Sequence, residues 1–127
     1  MTWTTYLKNA VLNHIYNDPA LTAPSVYLAI SSTAPAADGS NVTEPSGNNY
    51  ARVQALAASM SAAAAASKTN SAEVTWPIPS GAWTLTHLCG YDASSGGNLL
   101  WYIDVTDRAI VSGDTVKVPV GGLVHSL

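Results

Sequence analysis

A chain of 127 residues is long enough for one ordinary domain that buries roughly two-thirds of its unfolded surface without a disulfide or metal staple. It is 47% hydrophobic but only 10% charged, against a usual charged share of about 25%, so Ser, Thr, Asn and Gly must supply most of the polar surface. Eight acids against five bases leave a net charge of −3, which argues against nucleic acid as a partner because few phosphate counterions could be displaced.

No stretch approaches the ~18 consecutive apolar residues of a membrane span, and the opening MTWTTYLKNAVL reads as an amphipathic helix rather than a signal peptide. Thr4 or Thr5 is placed to cap that helix, which is predicted over about residues 5–16 from the spacing of Tyr6, Leu7, Ala10, Val11, His14 and Ile15. Asn17-Asp18-Pro19 ends it. Val26 to Ser31 alternates as a short strand, with Val26, Leu28 and Ile30 on one face. Residues 34–49 are almost wholly turn formers and predict a long polar loop. Tyr50, Arg52 and Gln54 then alternate with Ala51, Val53 and Ala55 in a further strand.

Ala57 to Ser71 is low-complexity Ala and Ser: propensity favours a helix, while the lack of large side chains leaves a strand edge or a connector equally open. Strands are predicted at Glu73 to Trp76, Trp83 to Tyr91, Leu99 to Val105, Arg108 to Val111, Thr115 to Val118 and Leu123 to Leu127, with turns at Ser94 to Asn98, Ser112-Gly113-Asp114 and Gly121-Gly122. About seven or eight short strands at this spacing predict a mainly β fold, an antiparallel β-sandwich or jelly roll with an N-terminal α-helix, as one domain over residues 1–127. No internal repeat or heptad marks a fibre shaft.

Chemistry is thinly supplied, with three His, one Cys and eight carboxylates. His87 and Cys89 share one face of a strand and could form half a metal site or a thiolate–imidazole pair, or simply fill space beside Trp83, Leu85 and Tyr91. Asp104 and Asp107 lack any calcium-loop context, and the sequon Asn41-Val42-Thr43 matters only in a eukaryotic secretory pathway. Neither a nucleophile elbow nor a phosphate loop is present, so no catalytic, cofactor or metal site is expected. Trp101 and Tyr102 point to opposite faces, and one could stack on a sugar; with Phe absent, core packing is the competing use. Trp3 and Tyr6, predicted outside the sandwich strands, are better placed to touch another chain.

Several segments in order resemble a family of small bacteriophage virion proteins, often labelled tail-fibre or minor structural proteins. They include Tyr6-Leu7, Val26-Tyr27-Leu28-Ala29-Ile30, Thr33-Ala34-Pro35, Asp38-Gly39-Ser40 leading through Glu44 to Tyr50-Ala51-Arg52-Val53, Val74-Thr75-Trp76-Pro77, Tyr91-Asp92-Ala93 and Gly96-Gly97-Asn98-Leu99-Leu100. The chain departs from the family at Trp76, where Phe is expected, and in the Ala-rich stretch from Ala62 to Ala66. The resemblance implies a structural protein of the virion without catalysis, made in the bacterial cytoplasm. Lacking a shaft, a domain with an N-terminal arm and a polar loop is expected to decorate the capsid exterior as a cement protein, clamping the major capsid protein lattice as a homo-oligomer. The alternatives are a tail-fibre, tail or baseplate component, or a glycan-binding receptor-recognition module. Trp3, Tyr6, Asn48, Asn49, Tyr50 and Arg52 are the expected contacts to other virion proteins, with no membrane or nucleic acid partner; Arg52 could instead anchor the loop's own carbonyls.

Overall fold

The computed structural model describes residues 1–127. In chain order its elements are β1 (Thr2–Trp3), α1 (Thr5–Ile15), β2 (Val26–Ser31), β3 (Val53–Ala55), a single 3₁₀ turn (Ala57–Ser59), β4 (Ser67–Thr69), β5 (Val74–Thr75), β6 (Trp83–Tyr91), β7 (Leu99–Ile110), β8 (Lys117–Val118) and β9 (Val124–Ser126). Five strands form one sheet in the order β1-β7-β6-β2-β3, every pair antiparallel.

Strand alternation divides the side chains of this sheet between two faces. On one face a row runs from Leu28 through Gly90 and Trp101 to Trp3, beside a second row of Ile30, Leu88 and Ile103. Those residues join Val74, Trp76, Trp83, Leu100, Ile110 and Leu123 in the main core. Outside the sheet, the short ladder of β5 with β8 adds Val74 and Val118 to that core, and the ladder of β4 with β9 sets His125 against Trp101. On the other face Ala29, Cys89, Tyr91 and Leu99 form a smaller cluster, covered by Val42 from the loop that follows β2. The fold is thus mainly β and sandwich-like, one full sheet faced by a layer of short ladders and loop, with one α-helix at the N-terminus.

Buried side chains with several hydrogen bonds join the layers. Thr4 caps α1: its Oγ1 accepts from Leu7 N at 3.3 Å and donates toward Leu99 O or Leu100 O of β7, at 2.6 and 3.0 Å. Asn70 donates to Ala72 O and Pro119 O and accepts from Leu123 N, at 2.8 to 2.9 Å, so one amide ties the Ala-rich region to the C-terminal strand.

The structure corrects two expectations and decides one that the sequence left open. The segments predicted as two strands, Leu99 to Val105 and Arg108 to Val111, lie in the single strand β7. What the pattern break marks is a bulge: Leu85 faces Arg108 and His87 faces Asp104, so Val105, Thr106 and Asp107 all oppose Thr86. Between Ala57 and Ser71 there is no α-helix; Ala65 and Ala66 are left-handed at φ 49° and 57°, and the chain reverses there, with Ala64 and Ser67 exchanging backbone hydrogen bonds. Finally, Trp3 is not outside the strands: it pairs with Trp101 at the edge of the sheet and packs half-buried against the main core.

Candidate functional site

The loop from Ser32 to Asn49 is held to the sheet by a clamp centred on Arg52. Its Nη2 and Nε contact the Glu44 carboxylate, at 2.5 Å and 3.1 Å, and its Nη1 donates to Ala93 O and Gly96 O at 2.9 and 2.8 Å. The guanidinium lies over the Tyr91 ring, 3.6 Å from its centre, a stacking suited to its flat, weakly hydrated charge. Tyr50 completes the arrangement. Its hydroxyl donates to Glu44 Oε2 at 2.8 Å and accepts from Ile30 N at 3.0 Å, satisfying a strand donor beyond the end of the β3 pairing. One planar cation therefore joins the loop, the hairpin between β6 and β7, and the sheet.

Burial sets the electrostatics of this cluster. It pushes the Tyr50 hydroxyl well above its usual range, helped by the Glu44 charge, and pushes Tyr91 up to about 12. Burial opposes the charge on Arg52, but hydrogen bonding and attraction to Glu44 outweigh it and hold the guanidinium protonated. Both tyrosines therefore keep their hydroxyl protons near neutral pH.

Asn48 and Asn49 follow Gly47 in three successive left-handed residues, a conformation that Asn tolerates better than most residues. Asn48 O accepts from Trp83 Nε1 at 3.2 Å and from Ser80 N at 3.1 Å, while Asn49 Nδ2 donates to Ile78 O at 2.9 Å. The predicted contacts Asn48, Asn49, Tyr50 and Arg52 are thus brought together, and each spends polar groups on its own chain. Tyr6 lies apart on α1, exposed. Glu44 and Tyr91 complete the clamp without having been singled out; both lie in segments that carry the family resemblance, and that was the available signal.

The other chemical candidates separate. Cys89 is buried in the smaller cluster, and burial pushes its thiol up to about 12, so it holds no thiolate. His87 Nδ1 sits 2.8 Å from Thr86 Oγ1, and its Nε2 is 3.9 Å from exposed Asp104. Nowhere do three His, Cys, Asp or Glu side chains converge. Trp101 is 3% exposed, its indole packed over Gly90 with His125 edge-on at 4.7 Å, so it offers no face to a sugar. Asn41 of the sequon is exposed and left-handed, its amide donating to Ala34 O at 2.7 Å.

An apolar groove of about 590 Å³ lies between α1 and the segment after it, the Ala-rich region and the C-terminal strand. Leu21, Pro24, Met60, Ala63, Leu123 and Leu127 form much of its wall, with Lys68 and His125 also at its lining. Nothing in the sequence pattern marked it, because its residues come from five separated segments.

Over residues 2–126 the sequence matches the family model described as podophage GP4 fiber I protein gp80. The chain belongs to that family, a group of phage fibre structural proteins. No curated protein matches it.

Proposed function

We propose that this chain is a non-enzymatic structural module of a phage tail fibre, a single domain held in the virion by protein–protein contacts. The observation that carries this reading is the match to a fibre-protein family along nearly the whole chain, residues 2–126. That description supports the tail over the capsid exterior, and so favours the fibre alternative over a cement protein. The lack of a repeat, which first pointed to the capsid, argues only against a shaft; a globular fibre module needs none.

The architecture suits such a role. The Arg52 clamp makes a long loop part of the folded body, and a sparsely charged surface lowers the cost of covering it with neighbours. The test is to locate the chain in the purified particle by cryo-electron microscopy, with mass spectrometry of separated tails and heads. Density in a fibre and enrichment in the tail fraction are expected. Copies spread over the capsid lattice and recovered with heads would overturn the reading in favour of capsid decoration.

A further inference from the structure

Helix α1 contributes no buried residue. Only Leu7, Ala10 and Val11 are half-buried, on the face turned to the body of the protein. Leu12, Ile15 and Tyr16, spaced i, i+3, i+4 on another face, are 56%, 66% and 80% exposed. An isolated 11-residue helix is marginal in water, and this one ends in an uncovered apolar stripe. Its end is nevertheless held in position, because His14 Nδ1 accepts from Leu21 N at 3.0 Å and the cap at Tyr16 donates back to Asn13 O. The same chain carries the complement, the apolar groove of about 590 Å³.

Charge says which partner fits. Lys68 at the groove bonds only a carbonyl, Ser61 O at 2.7 Å, and has no carboxylate partner. Asp18, just beyond the last turn of α1, is exposed, and its side chain has no partner either. The helix C-terminus adds partial negative charge at the same end. An apolar stripe with an acidic tip and an apolar groove with a basic edge are complementary, and both belong to this chain.

We propose that copies of this protein associate by seating the Leu12, Ile15 and Tyr16 face of α1 from one copy in the groove of another, with Asp18 reaching Lys68 across the contact. The contact joins two different surfaces and holds wherever in the particle the chain resides.

Two variants separate the surfaces without disturbing the core: Leu12→Glu with Ile15→Glu on the helix, and Ala57→Glu with Ala63→Glu in the groove, all at exposed positions. Circular dichroism and thermal unfolding establish that each folds as the parent does. Sedimentation and light scattering at about 100 µM are expected to show the parent above the 13.2 kDa monomer mass and each variant as a monomer. Mixing the two variants is expected to restore a 1:1 heterodimer, since one retains an intact helix face and the other an intact groove. The charge swap Asp18→Lys with Lys68→Glu is expected to associate more tightly than either single change. A monomeric parent, variants that associate like the parent, or a mixture that stays monomeric would each overturn the proposal, the last by indicating helix–helix or groove–groove pairing.

Discussion

Gly90 shows how one atom sets the core. It faces both Leu28 and Trp101 across the sheet, and a Cβ there would overlap the indole of Trp101. Its φ is not left-handed, so the requirement is for space rather than for backbone freedom. Overpacking a filled core costs about 1–3 kcal/mol; Gly90→Ala is expected at the upper end, read by urea denaturation, with Trp101→Leu in the same chain recovering part of the loss. Arg52 makes the opposite case, in which a polar group is required. Arg52→Met leaves Glu44 half-buried without its partner and strands Ala93 O and Gly96 O. Removing one member of a buried pair costs about 3–5 kcal/mol, and partial exposure of Glu44 places the expected loss near about 3 kcal/mol by the same measurement. Adding Glu44→Gln should return part of it, and an unchanged denaturation midpoint in Arg52→Met would show that the clamp contributes nothing to stability.

Among the elements, the turn at Ala65-Ala66 is where composition and conformation disagree. Both central residues are left-handed, as in the two-residue hairpin turns that favour Asn-Gly. An L-residue with a Cβ pays about 1–2 kcal/mol to sit there. Ala65→Asn with Ala66→Gly is therefore expected to stabilise the protein by about 1–2 kcal/mol, checked as a rise in the thermal midpoint. In β2 and β6 the predicted bounds agree with the observed strands; β2 alternates between the two clusters as expected, whereas in β6 Trp83 and Leu85 share the main core with Leu88, and Cys89 and Tyr91 fall in the smaller cluster beyond the irregularity after Leu85. Strands β1 and β4 escaped notice, being two and three residues long and too short to display a period. In β7 the exposed Thr106 and Asp107 read as an end, yet the strand continues through a bulge.

For the whole molecule, the N-terminal strand, the Ala-rich region and the C-terminal strand meet around His125. Trp101 stands edge-on to the imidazole, Lys68 pairs opposite it in the β4–β9 ladder, and the N-terminal amine adds a further positive charge. Burial first, and then those two charges, lower the pKa of His125 below its ordinary 6.5. The folded state therefore keeps His125 neutral at pH values where the unfolded chain binds a proton. Stability from this group is full above the unfolded value and is lost as pH falls from about 6.5 toward the lower folded value. Thermal midpoints are expected to fall between pH 7.5 and pH 5.5, and His125→Gln should flatten that part of the profile; an undiminished slope in the variant would assign it to other groups.

The amino-acid sequence by itself determined the mainly β class, the N-terminal helix, the bounds of β2 and β6 and the family, since hydrophobic spacing, capping signals and the order of short motifs are local properties that a linear reading can see. Only the tertiary structure decided what the singled-out residues do. Glu44, Arg52 and Tyr91 meet across separations of eight to more than forty positions, and Trp101 is enclosed because a glycine on the neighbouring strand leaves it room. The groove exists only where five distant segments converge, and no period along the chain encodes that convergence. Sparse charge leaves little chemistry in either description; in three dimensions it leaves an uncovered helix face and an apolar groove on one chain.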